Sequence, residues 1–377
     1  MKRFLYLLIF LFFSSFLFAQ EKPIKIFYKK IDKGFEFYAN NIELVPYTVK
    51  IDFQKMENLS SNSGESSFIT TVPANTSDHL VLVLKKINED KGTSFDFNFL
   101  YNIGDPSLKV DKNYPYLLPY KHGKRVRVGQ GNNGSGTHQG VNAIDFNLEI
   151  GDSIYSARSG IVIEIKEDSD IGGNNPKYER NGNFIKVYHD DGTIGSYVHL
   201  QKNGSLVKKG DQIEKGQLIG LSGNTGWSSG PHLHFMVAQN IDFRNITLPI
   251  QFLNYKEELF IPKESNSYYA YHPGKPEFEV QDSFQETKFE AEMKLSDLNN
   301  KIEFETEEYG DYTLIYVNNG MKTEMNGVLK LQLNNLISTK KLPYKFTVPA
   351  KTKMYLLALR PDEDASSFGF QLSGEFK

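Results

Sequence analysis

The sequence predicts an all-β protein in which two similar small β-sandwich modules flank a compact central domain of different composition. Two observations carry that expectation. Short segments rich in β-branched and aromatic residues, such as Lys25-Ile-Phe-Tyr28, Leu80-Val-Leu-Val-Leu84, Gly160-Ile-Val-Ile-Glu-Ile165 and Asn183-Phe-Ile-Lys-Val-Tyr188, recur between Gly, Asn and Asp, which is the pattern of strands separated by turns. Four sequence blocks also recur in order. Tyr38-Ala-Asn-Asn41 is echoed by Tyr316-Val-Asn-Asn319, Glu57-Asn-Leu59 by Asn334-Asn-Leu336, Thr71-Val-Pro-Ala-Asn-Thr76 by Thr347-Val-Pro-Ala-Lys-Thr352, and Ser94-Phe-Asp-Phe97 by Ser367-Phe-Gly-Phe370. Their offsets, 278, 277, 276 and 273, are near constant, as a duplicated unit with small gaps requires. A unit of roughly 75–80 residues with alternating strands suits a small β-sandwich. No His cluster or acid pair recurs in both copies, so the modules are expected to serve structure or interaction. Only Lys294 to Asn299 suggests a helical turn.

In chain order, residues 1–19 read as a signal peptide. Met1-Lys2-Arg3 is followed by an almost wholly apolar run from Phe4 to Phe18 and by the small residue Ala19. That run is short of the roughly 20 residues needed to cross a bilayer. Its removal would leave no integral membrane segment and a secreted or periplasmic protein. Residues 20–108 form the first module and 109–250 the central domain. Residues 251–275 are expected to be a linker, and 276–377 form the second module. The lead-in Asn113-Tyr-Pro-Tyr-Leu-Leu-Pro-Tyr120 suggests a strap along the central domain.

Composition limits the chemistry. With 377 residues, 39% hydrophobic and 24% charged, the chain has the balance of a multidomain globular protein. A formal net charge of −3 without a dense Lys/Arg run points away from nucleic acid. There is no cysteine, which excludes disulfides, thiolate nucleophiles and Cys-type zinc sites. A metal would have to be held by His, Asp or Glu.

Four of the eight histidines concentrate in the central domain with the right neighbours. In Gly230-Pro-His-Leu-His-Phe235, His232 and His234 are two apart, so a strand projects both to one face and puts Leu233 and Phe235 in the core. Pro231 suits the strand's start. His138 ends a Gly/Asn-rich loop, and Asp145 follows in Asn142-Ala-Ile-Asp-Phe146. Two imidazoles and a carboxylate would leave a fourth position of a zinc ion open, as a hydrolase needs. Ser196-Tyr-Val-His-Leu200 places His199 in another strand, with Tyr197 expected on the same face. A histidine beside a metal can move a proton or stabilise an oxyanion.

These motifs resemble the lysostaphin/LytM-type zinc endopeptidases, also called duplicated hybrid motif metalloendopeptidases. The resemblance extends to Gly151-Asp-Ser-Ile-Tyr-Ser-Ala157, Val207-Lys-Lys-Gly210, Gln217-Leu-Ile-Gly220 and Ser222-Gly-Asn-Thr-Gly226, and covers roughly Gly129 to Val237. It implies a β-sandwich core with a long groove, one Zn2+ per chain, and hydrolysis of amide bonds in peptidoglycan stem or crosslink peptides. Carried over by position, His138, Asp145 and His234 hold the metal, and His199 and His232 are catalytic. Many members separate the first His and the Asp by three residues. Here six intervene, so the segment between them must bulge for the side chains to converge. Members lacking ligands act as non-enzymatic activators, whereas all five positions are filled here. A secreted protease of Gly-rich proteins is the alternative substrate class, and the flanking modules could engage a protein partner. His79, His122, His189 and His272 are expected at the surface. Trp227 is a candidate groove residue, and Asn224 and Thr225 are expected to support its loop.

Overall fold

Residues 22–61, 64–278, 284–295, 300–310, 312–361 and 368–376 are described by a computed structural model. The signal peptide expected at residues 1–19 lies outside the described residues, as do most of the helical turn expected at 294–299 and Ser367 of the last repeat block. The chain is nearly all β, with two short 3-10 segments, Pro176–Asn181 and Glu286–Lys288, among the described residues. No helix there is long and apolar enough to cross a membrane. The chain divides between Ile103 and Gly104 into two units.

In the first unit, a four-stranded sheet runs in the order Ile24–Ile31, Gly34–Asn41, Thr76–Lys86 and Leu59–Ser61. A three-stranded sheet runs Ser67–Val72, Tyr47–Glu57 and Ser94–Ile103. Alternate residues, including Val49, Ile51 and Phe53, are buried in its core, as a sheet with one solvated face requires.

The end of the second unit repeats this plan. Ile302–Tyr309, Tyr312–Asn319, Thr352–Pro361 and Leu336–Ser338 pair in the corresponding order, and Tyr344–Val348, Met325–Asn334 and Gly369–Phe376 form the companion sheet. The same asparagine ties each copy together. Asn41 Nδ2 donates to the carbonyls of Val45, Val72 and Pro73, and Asn319 Nδ2 to those of Thr323, Val348 and Pro349. Asn58 and Asn335 share a left-handed backbone, with φ of 52° and 53°.

The second unit also carries a large sheet from the intervening part of the chain. Its main path runs Gln212–Ile213, Gly160–Lys166, Asn183–Tyr188, Ile194–Ser205, Leu233–Ile241, Ile144–Phe146, Arg125–Gln130 and Ser267–Tyr269. Phe146, Ile185, Val187, Tyr197, Leu233, Phe235 and Val237 build its core.

Several local expectations differ from the structure. The 113–120 segment, expected to run along the central domain, is part of its core. Leu118 and Tyr120 are fully buried, the Tyr120 hydroxyl donates to the Tyr268 carbonyl at 2.7 Å, and Pro115–Tyr116 pairs in parallel with Gln251–Phe252. Residues 251–275, expected to link domains, carry strands that pair with the central domain, including Ser267–Tyr269 on Arg125–Arg127. His189 and His272 are buried, not solvated. His189 Nδ1 donates to the Ser159 carbonyl at 2.9 Å, and His272 Nε2 to the Leu118 carbonyl at 3.1 Å. Each sits beside a turn signal, but distant segments fold over it. His79 and His122 are half-buried.

Candidate metal centre and catalytic groove

The strand Leu233–Ile241 begins two residues after Pro231 and alternates as its sequence suggests. Leu233 and Phe235 are buried in the core, and His232 and His234 both line a groove. Asp145 lies directly opposite His234 in the antiparallel register, so sheet pairing alone sets the carboxylate beside the imidazole.

His138 arrives from a loop. The chain turns back through a hydrogen bond from Val141 N to the His138 carbonyl and another from Asn133 N to the Val141 carbonyl. This turn absorbs the long spacing and leaves His138 almost wholly buried. Its Nδ1 donates to the Gly131 carbonyl at 2.9 Å, which turns Nε2 toward the other two residues. His138 Nε2 lies 3.2 Å from His234 Nδ1 and 3.3 Å from Asp145 Oδ1, and those last two are 2.9 Å apart.

The triangle has a plain chemical reading. Donors about 2.0–2.1 Å from a tetrahedral zinc ion stand about 3.3 Å from one another, close to the observed edges. Two imidazole nitrogens facing each other beside one carboxylate also form a pocket of converging lone pairs, which calls for a cation or a proton between them. The donor set therefore fits a zinc ion, with one side open to the groove. Asp145 is held well below the usual carboxylate range: burial opposes this, but His138 and His234 outweigh it. For His138, burial lowers the pKa and contact with Asp145 raises it, with a net rise.

The second pair of histidines stands beside this triangle. His232 Nδ1 donates to the Gly230 carbonyl at 2.8 Å, with Ser228 Oγ at 3.2 Å, which directs Nε2 toward the donor triangle, 3.7 Å from Asp145 Oδ1. The His199 ring centroid lies 4.5 Å from that of His232. His199 Nδ1 donates to the Thr225 carbonyl at 2.6 Å. Burial first, then the neighbouring His232 and His234, push the His199 pKa down to about 3, which keeps this ring neutral in ordinary buffers.

Tyr197 is not on the face of His199. It is fully buried against Phe235, with its hydroxyl accepting from Ala157 N. The reason is a β-bulge. His199 takes φ of +69°, and the pairing with the neighbouring strand shifts register where Asn183 opposes Leu200 and Phe184 opposes Val198. The bulge reverses the alternation and sends His199 into the groove. It also displaces the Leu200 carbonyl from the ladder, and Thr225 Oγ1 and Asn183 Nδ2 donate to that carbonyl at 2.7 and 3.3 Å. Gly226 next to Thr225 has φ of +82°, and a Cβ there would stand 2.6 Å from the Gly182 Cα, so only glycine lets the loop approach this strand.

The groove has a volume of about 650 Å3, and Trp227 and Asn174 line it along with Glu149 and Glu264. Sequence reasoning passed over Gln130, whose amide reaches Asp145, because a lone glutamine at a strand end carries no motif. Its one visible signal was its place immediately before the glycine-rich loop.

A mostly β domain with a His/Asp/His donor triangle and two more histidines in one groove is a metallopeptidase architecture. Residues 137–245 match Peptidase family M23. The chain is 35% identical over 137 residues to an uncharacterized metalloprotease of Buchnera aphidicola subsp. Baizongia pistaciae, covering 36% of this chain and 32% of that protein. It is 39% identical over 94 residues to the peptidoglycan DD-endopeptidase ShyA of Vibrio cholerae serotype O1, covering 25% and 19%. It is 40% identical over 121 residues to lysostaphin of Staphylococcus staphylolyticus, covering 31% and 22%. The chain thus spans a third or less of the length of these relatives.

Proposed function

We propose that the protein is a zinc metalloendopeptidase that works outside the cytoplasm and hydrolyses amide bonds in peptidoglycan stem or crosslink peptides. The observation that carries this reading is the donor triangle of His138 Nε2, Asp145 Oδ1 and His234 Nδ1, with edges of 2.9–3.3 Å, opening into a peptide-sized groove. The reading is supported by the similarity to a relative named as a peptidoglycan DD-endopeptidase. The family match covers residues 137–245, outside the flanking modules 20–108 and 276–377, which are proposed as separate structural or partner-binding units.

His138, Asp145 and His234 would hold the metal. When bound, a zinc ion supplies positive charge that polarises a scissile carbonyl and acidifies water. His232, with Nδ1 committed to the Gly230 carbonyl, presents Nε2 as a proton acceptor for the attacking water. His199 is held neutral and oriented by the Thr225 carbonyl. The proton gained by His232 places an imidazolium beside the developing oxyanion and then passes to the departing amine.

Digestion of purified peptidoglycan with and without chelator, followed by mass analysis of the fragments, tests the proposal. Chelator-sensitive release of cleaved crosslinks is expected. Intact crosslinks with cleavage of Gly-rich proteins would move the substrate to secreted proteins, and no cleavage of either would overturn the enzyme reading.

A further inference from the structure

Resting on the metallopeptidase reading, we infer that Gln130 is a positioning residue that dictates which oxygen of Asp145 faces the metal. Gln130 lies opposite Asp145 in the antiparallel register between Arg125–Gln130 and Ile144–Phe146. Its Nε2 donates to Asp145 Oδ2 at 3.2 Å and to Thr137 Oγ1 at 2.9 Å. Its Oε1 accepts from the backbone N of His138 at 3.4 Å. One side chain thus touches the carboxylate of one donor residue and the backbone of another.

The division of labour between the two carboxylate oxygens follows. Oδ1 is the oxygen 2.9 Å from His234 Nδ1 and 3.3 Å from His138 Nε2, while Oδ2 is occupied by the Gln130 amide. With Oδ2 engaged, Asp145 offers a single oxygen to an ion, which preserves a three-ligand set and an open position. The next residue completes the effect: the Gly131 carbonyl fixes the His138 ring by accepting from Nδ1. Residues 130 and 131 therefore orient two of the three donors, the role that outer hydrogen bonds play at metal sites.

The loop is shaped to lie on this side chain. A Cβ at Gly134 would stand 2.5 Å from Gln130 Cγ, and one at Gly136 would stand 2.5 Å from Gln130 Oε1. Either added Cβ would push the Gln130 side chain out of its present position, so the glycines let the loop that carries Thr137 and His138 lie on Gln130.

The test is zinc titration of the metal-free full chain against a chromophoric chelator, with cobalt(II) spectra of the same proteins. Gln130→Leu removes the donor, and Gln130→Glu keeps the size but replaces the amide with a second carboxylate. Each is expected to lower zinc affinity about 10–100-fold. The visible cobalt bands should weaken, because a released Oδ2 lets Asp145 bind through both oxygens and raises the coordination number. Thr137→Val removes the other partner of the amide and should lose less affinity than either Gln130 variant, because the bonds of Gln130 to Asp145 Oδ2 and His138 N remain. Unchanged affinity and spectra in both Gln130 variants would overturn the inference, as would an equal loss in Thr137→Val, which would assign the effect to the loop. Failure of the unmodified chain to bind zinc would instead overturn the metallopeptidase reading.

Discussion

At the scale of single residues, two kinds of histidine differ in how closely they approach Asp145 Oδ1. His138 and His234 have a nitrogen within 3.3 Å of Asp145 Oδ1, whereas His199 and His232 have Nδ1 bound to carbonyls of the 225–230 loop. His138→Ala is therefore expected to abolish stoichiometric zinc binding and, with it, hydrolysis. His199→Ala and His232→Ala should retain zinc, measured by metal analysis, while hydrolysis falls at least 100-fold, in keeping with loss of a positioned acid or base. Retained turnover in either variant would remove that residue from the mechanism. A buried histidine outside the groove adds to the pH dependence of stability. His189 is buried and, chiefly for that reason, has its pKa lowered to about 4, against about 6.5 in an unfolded chain. The folded protein therefore favours the neutral ring, and its contribution is fully present above about pH 6.5. As pH falls from about 6.5 to about 4, the unfolded chain takes up the proton first and up to about 3 kcal/mol is lost. Denaturant unfolding of His189→Asn should show a shallower loss of stability across that window than the unmodified chain does.

At the scale of elements, the strand Ile194–Ser205 carries the most consequence per residue. Regular alternation would have put His199 on the Tyr197 side, in the core, and the left-handed backbone at His199 costs about 1–3 kcal/mol. Neighbours hold it there: Thr225 Oγ1 donates to the Leu200 carbonyl and accepts from Asn183 N, and Asn183 Nδ2 reaches the same carbonyl. Thr225→Val keeps the shape and removes those hydrogen bonds. It should cost about 1–3 kcal/mol of stability and reduce turnover with zinc content unchanged, because the bulge relaxes while the donor triangle stays intact. A variant with normal stability and turnover would show that the bulge does not depend on Thr225.

At the scale of the whole molecule, the duplication is expressed as a repeated hydrogen-bond plan as well as a repeated strand order. Asn41 and Asn319 each close a module by donating to three carbonyls and accepting a backbone N–H two residues on. Both are almost wholly buried. Asn41→Ala and Asn319→Ala should destabilise their own modules by similar amounts, about 1–3 kcal/mol each. Denaturation curves of the two variants check this, and a loss confined to one of them would mean that the shared plan does not carry shared energetics.

The sequence by itself determined the all-β class, the repeat, and the residue types that gather in the groove. It also placed His232 and His234 on one face with Leu233 and Phe235 beneath, since strand alternation is a local property that a sequence displays directly. Only the tertiary structure decided that His199 leaves the core face, that His189 and His272 are buried, and that the 113–120 segment is core. It also decided that strands within 251–275 complete the central sheets and that Gln130 bonds to Asp145. Each of these depends on a neighbour distant in the chain. Residue order records periodicity and turn chemistry, but which segment covers a side chain, or relieves a displaced carbonyl, is settled only when the strands pair.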